Sequence, residues 1–213
     1  MAMTRNTIIT NRYVRFLIGL ALIALGLAII VKTELGTAPF STLPYVASLG
    51  FSPSIGIFTI TLNLVFVAIQ AAILRDKFAR AQFMQIFVGF LFGIILDFWM
   101  VVVPAPEMLS YVFKVLMLFA GTFIMAVGIV TEVHAAVLMT AGEGIVVVLA
   151  LALKRDFGTI KIAVDVTLVV LGALLSFILF QEVKGVREGT LLSACFTGIF
   201  IKGIHKLQGR MAK

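Results

Sequence analysis

The chain has 213 residues, 62% of them apolar and 13% charged, with a formal charge of +7. A water-soluble domain is about half apolar, so this composition excludes one and predicts an integral membrane protein, with the lipid bilayer as its first partner. The basic residues fall in short clusters at the ends of apolar runs, with no basic face and no nucleic-acid motif, so no nucleic-acid partner is expected.

A spanning helix needs ~20 mostly apolar residues. Residues 1–13 read as a short cytoplasmic segment, and the first run, near 14–31, continues without a convincing small-residue cleavage site, which predicts an uncleaved first helix. It flows into "VKTELGTAPFSTLP", where Pro39 and Pro44 remove backbone donors and Gly36 admits angles other residues avoid. Thr37, Ser41 and Thr42 offer hydroxyls there, either to repair the break or to bind a ligand. A surface loop leading to an amphipathic turn is the plain alternative. The second run, 54–74, carries Asn63 and Gln70 on one face, as interhelical glue or cavity lining. The third, 83–103, contains Gly89 and Gly93 at helix-packing spacing, and Asp97 without a local cation, which points to a cavity role.

The fourth run, 109–131, is followed by Glu132 and His134, read as interfacial or as a titrating pair. Residues 135–153 are apolar except for Thr140 and Glu143, the latter set between Gly142 and Gly144. A charge at the centre of an inserted helix costs ~2.5–3.5 kcal/mol, so Glu143 is expected to face a cavity or a partner. The fifth run, 160–180, holds Asp165, either functional or paired with Lys161 four residues earlier. Arg187 and Glu188 open a shorter sixth run, 190–205, as a cap or salt bridge, or with Arg187 capturing a substrate anion. Residues 206–213 read as a cytoplasmic tail. The runs are continuously apolar rather than alternating, which excludes barrel strands. Cys195 has no second cysteine to pair with.

With the N-terminus inside and six crossings, thirteen basic residues fall on the cytoplasmic side and Lys32, Lys114, Lys184 and Arg187 fall outside. That count requires 32–50 and 132–153 to be re-entrant or broken; eight crossings is the alternative. Gly26 and Gly128, the two interrupted segments, Asn63 and Asp165, and two Lys-x-x-Arg pairs recur in order. The fold expected is therefore all-α, about six transmembrane helices in two inverted three-helix repeats, 14–104 and 105–205, aligned with gaps.

"LGTAPF", "GEG", "GTIKIAVD" and "GVREGT" in this order resemble the YczE/YitT-like family of small bacterial integral membrane proteins, over roughly residues 14–204. The resemblance implies a bacterial cytoplasmic-membrane protein of five or six helices and provides no substrate. Members often carry an acidic residue after the Pro-aromatic pair, where this chain has Ser41 after Pro39 and Phe40. That departure leaves Glu143 as the main carboxylate of the broken segments.

No nucleophile motif, phosphate loop or histidine-rich cluster is present, so no enzyme, no metal and no cofactor is expected. The functional expectation is a secondary transporter or exporter of a small polar metabolite. Gly36, Thr37, Ser41, Thr42, Asn63, Thr140, Gly142, Glu143, Gly144 and Arg187 would form the substrate site, and Asp97, Glu143 and Asp165 would couple an ion. The alternative is a non-transporting accessory or scaffold protein; a homodimer is compatible with either.

Overall fold

The computed structural model describes residues 5–105 and 110–211. The extreme ends of the two expected tails, with the side chains of Arg5, Arg210 and Lys213, lie outside the described residues. The described residues form eight α-helices and no strand: α1 Arg5–Lys32, α2 Thr42–Gly50, α3 Ile55–Leu74, α4 Met84–Val102, α5 Tyr111–Ala135, α6 Ala141–Leu153, α7 Phe157–Phe180 and α8 Glu188–Met211. Five stretches, in α1, α3, α4, α5 and α7, are long and apolar enough to cross a membrane. By length and composition this is a multi-pass helical membrane protein. Short 3-10 turns precede α2 and link α3 to α4.

The packing centre is the antiparallel pair α1 and α5. Lipid tails are as apolar as leucine, so helices in a bilayer gain little by burying leucine; close backbone approach at small residues replaces that drive. A Cβ on Gly26 would stand 2.5 Å from the Gly121 carbonyl oxygen and the Met125 nitrogen, and one on Gly128 would stand 2.7 Å from the Ile23 nitrogen. These glycines are therefore the seam itself. α4 lies along α1 and α8 along α5; α2 packs on α7 and α6 on α3. α8 follows α5 from one end to the other, with edge-on pairs Phe119–Phe196, Phe123–Phe200 and His134–His205.

Several like features recur at one spacing in the sequence. Gly26 and Gly128 are 102 positions apart (128 − 26), and so are Gly19 and Gly121, the left-handed residues Glu34 and Ala136, the N-caps Ser54 and Asp156, and Asn63 and Asp165. The Thr-Ala pairs, Thr37–Ala38 and Thr140–Ala141, fall one position out of step (140 − 37 = 103), and the Lys-x-x-Arg pairs fall five out (184 − 77 = 107), chiefly because α7 has 24 residues where α3 has 20.

Each break follows from local chemistry. α1 stops where Thr33 turns its hydroxyl back to the Ile30 carbonyl, 2.7 Å, and Glu34 and Gly36 take positive φ. Pro39 then opens the 3-10 turn, and Pro44 sits in the first turn of α2, where a missing amide costs no intrahelical bond. α5 stops at Ala136, left-handed at φ 47°, and the chain runs irregularly to Thr140 before α6 begins.

Candidate functional site

The break between α5 and α6 builds an open cleft of about 300 Å³, lined by Glu132, Val133, Ala136, Val137, Leu138, Met139 and Glu143. Glu132 projects from the last turn of α5. It is 5% exposed, and its Oε1 has no hydrogen-bond partner. Glu143 lies half-buried in the first turn of α6, where its amide donates to the Thr140 hydroxyl at 3.4 Å. No Lys, Arg or His nitrogen lies within 4.0 Å of either carboxylate among the described residues.

Two cations of the neighbouring helices are already engaged. Arg12 donates to the Ala135 carbonyl at 2.9 Å and to the Ala136 carbonyl, satisfying acceptors that the end of α5 leaves open. Lys161 bonds both oxygens of Asp165, at 2.5 and 2.6 Å, although its charge reaches Glu143. Beneath the first turn of α6, the Gln70 amide donates to Gln85 at 3.0 Å and to the Ala141 carbonyl at 3.2 Å, and Gly144 lies against both glutamines. That cross-link fixes α6 to α3 and α4. Outside the spanning helices, Asp156 caps α7 by accepting from the Thr159 amide and hydroxyl, at 2.7 and 2.8 Å. Those two bonds hold its carboxyl below the ordinary carboxylate value.

The break after α1 is closed. The Gly189 amide at the start of α8 donates to the Leu35 carbonyl at 2.8 Å, Thr37 donates its amide to the Thr190 hydroxyl at 3.2 Å, and Ser193 donates to the Thr37 carbonyl at 3.3 Å. Gly36, at φ 124°, has no room for a side chain, since a Cβ would stand 2.5 Å from Thr190 Oγ1. The Thr37 hydroxyl is fully buried and has no partner. Arg187 reaches the Glu34 carbonyl at 3.4 Å and Lys114 pairs with Glu34 at 2.8 Å.

The residues named from sequence therefore fall into separate places. Thr140, Gly142, Glu143 and Gly144 gather at the cleft end of α6, while Gly36, Thr37 and Arg187 gather with α8. Ser41 and Thr42 are buried, Thr42 against Gly172 of α7. The two broken segments meet through the Phe40 ring packed on Gly142, an apolar contact. Asn63 packs against Gly89 between α3 and α4. Asp97 caps α3, accepting from the Ser54 hydroxyl at 2.5 Å and the Gly56 amide at 2.8 Å. Asp165 is paired with Lys161.

Glu132, expected from sequence to be interfacial or half of a titrating pair with His134, is buried because it continues the stripe Gly121, Met125, Gly128 that faces α1, and it lies against Gly19. The signal was its helical spacing from Gly128, one turn away.

These features define a class: a polytopic helical membrane protein with a largely apolar cleft, bearing two carboxyl groups, at a helix break. The chain belongs to the DUF6198 family, a family of unknown function, whose model matches residues 10–206. It is also similar to Uncharacterized protein YyaS of Bacillus subtilis (strain 168), 25% identical over 190 residues, 89% of this chain and 90% of the relative. No solved structure matches.

Proposed function

We propose that this protein is a secondary transporter or exporter of a small polar metabolite, working in a bacterial cytoplasmic membrane by binding rather than catalysis. The observation that carries this reading is the pair of helix breaks in unequal states. The break after α5 opens to a cleft with one buried and one half-buried carboxylate, while the break after α1 is sealed by α8. Broken helices at equivalent places in two halves are the arrangement in which transporters hold substrates and coupling ions, and access alternates as one half moves against the other. Irregular backbone inside a membrane persists only where it is buried or lines water.

The reading carries its topology with it. Six helices, α1, α3, α4, α5, α7 and α8, cross in two inverted repeats, 14–104 and 105–205; α2 and α6 are re-entrant, and both termini are cytoplasmic. The recurring spacing of 102 positions (128 − 26) supports it, as does the passage of α8 along α5. The ends of the helices that carry Arg12, Arg75, Lys77, Arg80, Lys154 and Arg155 become the inner face under the positive-inside rule. The cleft then opens inward. The likeness to YczE/YitT-like proteins belongs to the same proposal.

The test is a thermal-shift screen of the purified protein against a metabolite panel at mildly acidic and neutral pH, followed by flux of any binder in proteoliposomes. The expected result is a binder whose flux is abolished by Glu143→Gln while the variant remains folded. Flux unchanged in that variant removes Glu143 from the mechanism. A binder that never crosses the bilayer overturns the transporter reading in favour of a membrane accessory protein.

A further inference from the structure

The two halves differ most where the cleft lies. One spacing earlier in the chain, Ile30 stands at the position of Glu132 (132 − 102), and Glu143 falls on Ser41 (143 − 102) or, by the spacing of the Thr-Ala pairs, on Phe40 (143 − 103), neither of them acidic. Ile30 is fully buried in the same seam, and the first half folds around it. The architecture therefore does not require a carboxylate at either place. Both acids belong to the half whose break is open, and they converge on one cleft.

Burying a carboxylate without a partner is costly. Glu132 bears part of that cost, since its Oε1 is unpartnered and the residue is 5% exposed; such a group either holds its proton or takes up a cation. Arg12 and Lys161 form no ion pair with either acid, one being held by backbone carbonyls and the other by Asp165. A cation entering the cleft would supply that pair.

We propose that the cleft binds an organic ammonium ion with a short apolar body, its N–H donors shared between Glu132 and Glu143 and its body against Val137, Leu138 and Met139. A cavity of about 300 Å³ is at the lower end of the range for small organic ligands, and far larger than a proton needs. A hard divalent cation takes about six or more oxygens, whereas the remaining lining side chains here are hydrocarbon or thioether. An ammonium group donates up to three hydrogen bonds, which suits two carboxylates. This inference gives the substrate class for the transport reading and rests on it for its role, although the binding itself can be measured alone.

The test is calorimetric titration of the full-length protein in detergent with phenethylammonium, with 2-phenylethanol as the neutral match and magnesium and manganese as separate arms. Saturable binding of the amine, at least tenfold tighter than the alcohol, is expected. Glu132→Gln weakens it at least tenfold, and Val137→Phe, which fills the cleft while sparing both acids, blocks it; unfolding curves confirm that each variant is folded. Equal binding of amine and alcohol, amine affinity unchanged in both variants, or a metal that binds without being displaced by the amine overturns the proposal. In proteoliposomes the two readings separate. Amine binding without amine flux sinks transport and leaves the ammonium site standing. Flux of an anionic or uncharged metabolite that is indifferent to Glu132→Gln leaves transport standing and sinks the ammonium site.

Discussion

The Gln70 side chain of α3 donates to the Gln85 side chain of α4 across 3.0 Å, at the level where α6 begins. In a membrane this kind of bond ties helices that apolar contact alone leaves free to slide. Gln70→Leu is expected to lower stability by about 1 kcal/mol, read as a shift in the unfolding midpoint in denaturing detergent. Gly144→Ala should disturb the same cross-link by pushing the two amide ends apart, because its Cβ would meet Gln70 Oε1 at 2.7 Å and Gln85 Oε1 at 2.9 Å. Unchanged midpoints in both variants would show that the cross-link is not holding α6.

The seam between α1 and α5 predicts a steep dependence on side-chain size. Gly26→Val or Gly128→Val forces the two backbones apart and is expected to destabilise by about 1–3 kcal/mol or more. Gly198→Ala is the control, since nothing lies within 4 Å of its would-be Cβ; it should be neutral or slightly stabilising as a better helix former. Similar melting temperatures for all three variants would contradict the seam.

Water access should differ between the two breaks. In a Cys195→Ala background, Met139→Cys on the cleft wall, 44% exposed in the wild type, is expected to react readily with small aqueous thiol reagents. Thr37→Cys, at a position wholly buried under α8, should react slowly, and Thr190→Val, which removes the acceptor of the Thr37 amide, should speed it. Comparable labelling at both positions would mean that the two breaks are equally open.

Asp156 gives a pH dependence with a definite sign. Its folded-state pKa lies below the ordinary value of 3.8 because the Thr159 amide and hydroxyl bind the ionised form. The cap therefore stabilises α7 fully at pH values above the unfolded pKa and loses this contribution as pH falls through the folded pKa. Wild type should exceed Asp156→Ala in stability at neutral pH, with the difference shrinking once pH drops below about 4. A difference that grows in acid would reverse the assignment.

The sequence by itself determined the class and most of the breaks. Apolar runs of bilayer length leave the backbone no alternative to helices, and Pro39, Gly36 and the Gly142–Glu143–Gly144 cluster mark where a continuous helix fails. Spacing also points to a recurrence, shifted by one position at the Thr-Ala pairs and further where α7 runs to 24 residues against 20 in α3. What only the tertiary structure decided was which polar groups are satisfied. Asp97 and Asp165 look alike from sequence, yet one finds Ser54 and the start of α3 and the other finds Lys161 on its own helix. Glu132 looked interfacial and is instead buried against α1 without a partner at Oε1. A carboxylate's role depends on the donors and cations within a few ångströms, and those arrive from helices distant in the chain, so only their packing separates a cap, a paired charge and a charge still open to a ligand.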